Sequence, residues 1–99
     1  MNLSKGWKKH AVISGAWHLV YSDPLVGDIS IVTGPRGSGL MGCIEPGYET
    51  TYEAWFPRMT NPMGNLTLDE IKGIIKYLRQ REEEHQILAD SVDLPENYG

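Results

Sequence analysis

Hydrophobic and polar positions follow two different periods along the chain. Before about residue 66, apolar residues form short runs bounded by Gly, Pro, Asp and Asn, which is typical of strands. Beyond it, apolar residues recur every three or four positions, which is the spacing of one helical face. The pattern therefore predicts an α+β protein in which an antiparallel sheet is followed by an amphipathic helix.

Four segments in the first part of the chain have the composition of strands. They are residues 11–21, 27–33, 40–44 and 50–56. Gly42 weakens the third segment, because glycine contributes no side chain to a sheet, so the predicted sheet has three or four strands. The links between the segments are short, which favours an antiparallel meander over residues 11–56. The residues from 57 to 65 are expected to form a loop.

The start of the helix is the best-defined local signal in the sequence. Thr67 is a suitable N-cap, and Glu70 lies three residues further on, which makes a capping box. Leu66 and Ile71 occupy the positions of a hydrophobic staple around this cap. These features predict a helix over residues 66–86 that packs against one face of the sheet. The apolar stripe on this helix consists of Leu68, Ile71, Ile74, Ile75 and Leu78.

Chain length and the two ends complete the predicted organisation. Ninety-nine residues correspond to a single domain. Residues 1–10 are mostly polar and are expected to form an arm or a short helix, whereas residues 87–99 are expected to form an acidic tail. A helix at the start would give an α-β-β-β-α order, which resembles that of double-stranded-RNA-binding domains.

The sequence indicates a cytoplasmic protein. Cys43 is the single cysteine, so no internal disulfide can form, which fits a reducing compartment. Lysines before the apolar residues 11–21 mimic a signal peptide, but no small-residue cleavage site follows them. No stretch approaches the roughly 20 apolar residues that a membrane span needs, so we expect no membrane contact.

Net charge disfavours nucleic acid as a partner. It is −4, with a pI near 5.2, whereas nucleic-acid-binding proteins usually have a basic surface. The predicted helix also lacks the basic patch of double-stranded-RNA-binding domains, because nearby acids offset its cations Lys72, Lys76, Arg79 and Arg81. An alternative hypothesis is nevertheless that the chain is a nucleic-acid-associated accessory protein, with phosphate contacts from Lys5, Lys8, Lys9 and Arg36.

No constellation of residues predicts catalysis, a cofactor or a metal. Cys43 could act as a nucleophile only beside a base, and the sequence places no histidine near it. His10, His18 and His85 lack the spacing of a metal site, and one cysteine cannot form a thiolate zinc site. The glycine-rich residues 34–39 precede a strand, which indicates a hairpin turn rather than a phosphate-binding loop. A small nucleotide-binding protein or enzyme is kept as a second alternative.

Aromatic residues and methionines crowd into residues 48–63. Trp, Tyr, Met and Arg are enriched at protein interfaces, although a small domain must also bury most of its tryptophans. We therefore predict a non-enzymatic protein-binding module, such as an inhibitor or accessory protein that a phage or mobile element directs against a host protein. The expected contact residues are Trp55, Phe56, Arg58, Met59, Met63, Glu82, Glu83 and Glu84. A homodimer is also expected, through Ile87, Leu88, Val92 and Leu94.

Overall fold

An antiparallel sheet and one long helix make up the structure. The computed structural model describes the backbone of residues 1–91 and the side chains of residues 1–86. Within this part of the chain, five strands pair in chain order, and every pair is antiparallel. The α+β class and the meander are confirmed, whereas the predicted count of three or four strands is wrong. The elements are β1 (Lys8–Lys9), β2 (Trp17–Asp23), β3 (Gly27–Thr33), β4 (Tyr52–Trp55), β5 (Met63–Leu66) and α1 (Leu68–Ser91).

The strand predicted at residues 40–44 does not form. Gly42 lies so close to β4 that an added Cβ atom would come within 2.6 Å of the Tyr52 Cα. Cys43 bonds Thr51 through both of its backbone groups, each at 3.1 Å. This segment therefore packs across the start of β4, and its glycine reflects a close backbone approach rather than a strand.

Strand β5 forms at the end of the stretch predicted to be a loop and includes Leu66, where the helix was predicted to begin. Its sequence includes Gly64 and Asn65, which are depleted in strands. Asn65 has a positive φ of 56° where the register with β4 is irregular, as in a β-bulge. The Asn65 N–H donates to the carbonyl oxygen of Met41, so this backbone group of β5 is bonded outside the sheet. Tertiary pairing thus overrides local propensity here.

The first ten residues form no helix, so the α-β-β-β-α order is absent. They contribute a turn and then β1, whose two residues pair with the start of β2. Leu3 is fully buried in the core. The indole N–H of Trp7 donates to the Leu3 carbonyl oxygen at 2.7 Å. The N-terminal segment is therefore anchored to the sheet and helix rather than helical itself.

One face of the sheet forms the core together with α1. Along β3, Ile29 and Ile31 are fully buried and the residues that alternate with them are not, as the strand period requires. Ala54 of β4 joins the same cluster, as do Ile71 and Ile75 of α1. The predicted apolar stripe thus packs against this face. The strand residues that alternate with the buried ones lie on the opposite face.

The predicted capping box and staple are confirmed at the start of α1. Thr67 Oγ1 accepts a hydrogen bond from the Glu70 N–H at 3.2 Å, and the Thr67 N–H donates to Glu70 Oε1 at 3.0 Å. Leu66 and Ile71 are both buried. The helix continues to Ser91, past the predicted end at residue 86, and the rest of the predicted acidic tail lies outside the described residues.

A buried carboxylate connects α1 to the far end of the sheet. Asp23, at the end of β2, accepts hydrogen bonds from Arg79 of α1, which also donates to the Tyr21 hydroxyl at 2.9 Å. The backbone N–H groups of Leu25 and Val26 donate to Asp23 at 2.9 and 3.1 Å. Burial alone would raise the pKa of Asp23, but these hydrogen bonds and the Arg79 charge outweigh it and lower the pKa to about 2. One carboxylate thus holds both the β2–β3 turn and the helix.

We expect acid to weaken the fold through Asp23. Because its pKa in the folded protein lies below the ordinary value of 3.8, the carboxylate stabilises the fold above about pH 4, and this contribution is lost as the pH falls towards about 2. The shift corresponds to about 2 kcal/mol. Urea unfolding at stepped pH values measures it. The free energy of unfolding of Asp23→Asn should be about 2 kcal/mol lower at neutral pH and should depend less on acid, whereas parallel pH curves for the two proteins would contradict this role.

Two glycine-to-alanine substitutions should have opposite effects on stability. An added Cβ at Gly73 of α1 meets no atom within 4 Å, so Gly73→Ala should raise the free energy of unfolding by about 1 kcal/mol through helix propensity. Gly42→Ala should lower it by about 2 kcal/mol or more, because the new Cβ clashes with backbone. Denaturant titrations of both variants test this, and a neutral Gly42→Ala would refute the close approach to β4.

Candidate interaction surface

The sheet face opposite α1 presents a row of side chains across three strands. Val20 of β2 pairs with Ser30 of β3, and Ser30 pairs with Trp55 of β4. Val20 is 53% exposed and Trp55 is 48% exposed. The next row contains His18, which bonds the Ser30 hydroxyl at 2.8 Å, and its partner Val32. We call these five residues the open face.

A tight turn follows Trp55 and fixes its indole. The Trp55 indole N–H donates to the carbonyl oxygen of Met59 at 3.1 Å, and the Met59 N–H donates to that of Phe56 at 3.3 Å. Pro57 and Arg58 are the central residues, and Arg58 has a φ of 67°. Proline followed by a positive φ is the pattern of a type II turn, whose second central position usually holds glycine. Arg58 is therefore held in a strained backbone conformation.

Arg58 also lines a groove between this turn and α1. The groove, which we call the Arg58 groove, has a volume of about 240 Å³. Arg58 Nη1 lies 3.4 Å from Glu82 Oε1, and this exposed ion pair contributes at most about 1 kcal/mol. The groove thus combines apolar walls with charged groups. Its lining residues are Val26, Pro57, Arg58, Leu78, Arg81, Glu82 and His85.

Four of the predicted contact residues lie in the turn after β4 or contact it. Trp55 and Met59 are joined by a hydrogen bond at the edge of the open face. Arg58 and Glu82 are joined by the ion pair in the groove. The prediction for Phe56 was wrong, because its side chain is 1% exposed and belongs to the core. It follows Trp55 directly, so it lies on the face of the sheet that α1 covers.

The other predicted contact residues lie away from this surface. Met63 of β5 is half-buried and packs against the core. Glu83 and Glu84 are exposed on α1 but do not line the Arg58 groove. The homodimer stays a prediction, since its residues lie outside the part of the chain whose side chains the structure describes: Ile87, Leu88, Val92 and Leu94.

Sequence reasoning missed the exposed part of β2 and most of the groove. Val20 was overlooked because alternation in a strand does not reveal which face will be covered. For the groove a usable signal was present, since Leu78, Glu82 and His85 recur at helical spacing. Val26 had no such signal, because it reaches the groove only through the turn that Asp23 holds.

The residues of the alternative hypotheses lie elsewhere. Lys8 and Lys9 form the edge strand β1, and Arg36 lies 3.5 Å from Glu45 in a loop. Cys43 is half-buried beside Thr51. Among the residues with described side chains, no three His, Cys, Asp or Glu groups are arranged to hold a metal ion. A search of the same stretch finds no helix with the length and apolar character needed to cross a membrane.

Relatives give no guide to this surface. Comparison with protein-family models, with curated proteins and with solved structures finds no match to the chain. A function can therefore be inferred only from the geometry and chemistry of the chain's own residues.

Replacing Arg58 by glycine should stabilise the protein. Glycine removes a backbone strain of about 1–2 kcal/mol and adds a smaller entropy cost in the unfolded chain, so we expect a net gain of about 0.5–1 kcal/mol. The loss of an exposed ion pair offsets little of this. Denaturant unfolding of Arg58→Gly measures the change.

Arg36→Gly is the matched control for this substitution. Arg36 is also an exposed loop arginine beside a glutamate, but it does not have a positive φ. Its replacement should be destabilising, because glycine then brings only the entropy cost. Equal losses of stability in both variants would mean that the turn does not strain Arg58.

Proposed function

We propose that this chain is a protein-binding module that acts as an inhibitor or accessory protein and docks through Trp55, Met59 and Arg58. The observation that carries the proposal is the turn after β4, which keeps a tryptophan exposed and holds an arginine in strained backbone. Neither feature is needed to complete the core, which Phe56 fills from the adjacent position. Both features are explained if a second protein covers them.

Trp55 has the properties of an interface anchor. Its indole N–H is already bonded to Met59, so the exposed remainder is apolar ring surface whose burial is favourable. Val20 lies in the same row, and Met59 is 38% exposed. Tryptophan is the residue type most enriched among binding hot spots. A partner residue that covers this ring would displace water from all three side chains.

Arg58 supplies a charged contact beside the anchor. Strain of this kind persists where it contributes to function, and the ion pair with Glu82 is too exposed to offset it. The guanidinium can exchange Glu82 for a carboxylate of a partner, since planar, bidentate pairing suits arginine. We therefore expect the partner to present an acidic group next to an apolar one.

Matched variants test this proposal by quantitative capture from a host lysate. Trp55→Ser with Met59→Ser should lose the proteins that the wild type retains, with at least a tenfold drop in recovery. Val12→Ser with Tyr48→Ser is the control, because it removes two exposed apolar side chains elsewhere. Equal recovery by both double variants would place the contact somewhere else.

Arg58→Gly provides an independent arm of the same experiment. It is expected to weaken capture although it stabilises the fold, so a loss of binding cannot be attributed to unfolding. If Arg58→Gly binds as well as the wild type, the strained arginine is not part of the contact.

A further inference from the structure

Two adjoining cavities lie at the end of the sheet opposite the Arg58 groove. The first, which we call the aromatic cleft, has a volume of about 190 Å³ and is lined by Trp7, Trp17 and Tyr52 with Thr33, Thr50 and Ile44. The second, the loop cavity, has a volume of about 270 Å³ and lies within residues 9–17, with Lys9, His10 and Ser14 among its walls. Trp17 lines both cavities. A ligand that occupies both would therefore pass over a single indole.

The aromatic cleft is suited to a flat, unsaturated ring. The Trp7 and Tyr52 rings lie 5.4 Å apart at 31°, and the bond from Trp7 to the Leu3 carbonyl fixes the indole. Trp17 is 37% exposed, so its ring is accessible for stacking. Aromatic side chains bind nucleobases by stacking, because every base has a π-face. Thr50 adds a hydroxyl group at the edge of such a ring, whereas the Thr33 hydroxyl is buried and donates to the Thr51 carbonyl oxygen.

The loop cavity has the charge that a phosphate needs. Lys9 pairs with Trp17 across β1 and β2, so its side chain lies beside the shared indole. His10 Nδ1 accepts hydrogen bonds from the N–H groups of Val12 and Ile13, which leaves Nε2 as the donor of the neutral ring. Among the described side chains, no carboxylate lies within 4.0 Å of the Lys9 ammonium. A positive charge is therefore available next to the stacking surface.

We propose that this pair of cavities binds single-stranded nucleic acid, with a base stacked in the aromatic cleft and the adjacent phosphate contacted by Lys9 and His10. In a nucleotide the base and the phosphate are separated by the sugar, and here the two cavities are separated by one side chain. A cationic ligand in the cleft would be repelled by Lys9. The bases of a paired duplex are already stacked on each other, so none of them is free to stack on Trp17.

The N-terminal side of this site is basic although the chain has a net negative charge. Lys5, Lys8 and Lys9 lie in a stretch of ten residues without acids. The acidic residues 82–84 follow Arg79, which contacts Asp23 at the other end of β2. Only a few phosphate contacts are available, so the binding is expected to be weak and to depend moderately on salt.

Fluorescence anisotropy of a labelled short oligothymidylate at low salt tests the proposal. The wild type should bind this probe more tightly than a labelled hairpin duplex of equal length. Trp17→Ala should weaken binding between about fivefold and a hundredfold, and Trp17→Phe should retain most of it. Lys9→Ala should lower the steepness of the salt dependence by about 0.7 logarithmic units per decade.

Controls separate this site from general charge and aromatic effects. Tyr77→Ala and Lys76→Ala remove an exposed aromatic ring and an exposed lysine of α1, and both should bind like the wild type. The proposal is overturned if the oligonucleotide fails to bind, if the duplex binds equally well, or if each control loses as much affinity as its matched variant. Binding of a proline-rich peptide in place of the oligonucleotide would also overturn it.

Discussion

The contact between Asp23 and Arg79 is the interaction on which the rest of the structure depends. It joins the end of β2 to the fourth turn of α1, and through Leu25 and Val26 it also sets the turn between β2 and β3. A buried charge is tolerated only when it is paired and hydrogen-bonded, and Asp23 meets this condition completely. The position of the helix along the sheet is therefore specified by charge as well as by apolar packing.

The Arg58 groove depends on this contact. Val26 lies in the turn that Asp23 holds, and Leu78 precedes Arg79 on the helix, so two apolar walls of the groove are placed by the same ion pair. Residues 81–85 follow Arg79 on α1, so the contact with Asp23 also sets their position beside the groove. The acidic stretch of α1 thus has two parts, because Glu82 lines the groove whereas the next two glutamates do not.

Structural features that depend on neighbouring residues could be predicted from the sequence, whereas those that depend on contacts between distant residues could not. The capping box at Thr67 and the strand at residues 27–33 depend on near neighbours, and both formed as predicted. The strand at 63–66 depends on pairing with β4, and Gly42 on an approach of distant backbone, so neither is visible in its own composition. In the candidate surface, the residue types of Trp55 and Arg58 were informative. Separating Trp55 from Phe56 required knowing which face of β4 the helix covers.

The two outer strands of the sheet are both poor templates for further pairing. Strand β1 has only two residues, both exposed lysines, and short charged strands are poor templates for another strand. On the other side, the Met41 carbonyl accepts the Asn65 N–H and the Met41 side chain covers Gly64. Both features disfavour edge-to-edge aggregation through β1 and β5. It also follows that a partner is recognised more readily through side chains than by strand addition, because the strands at both edges are short.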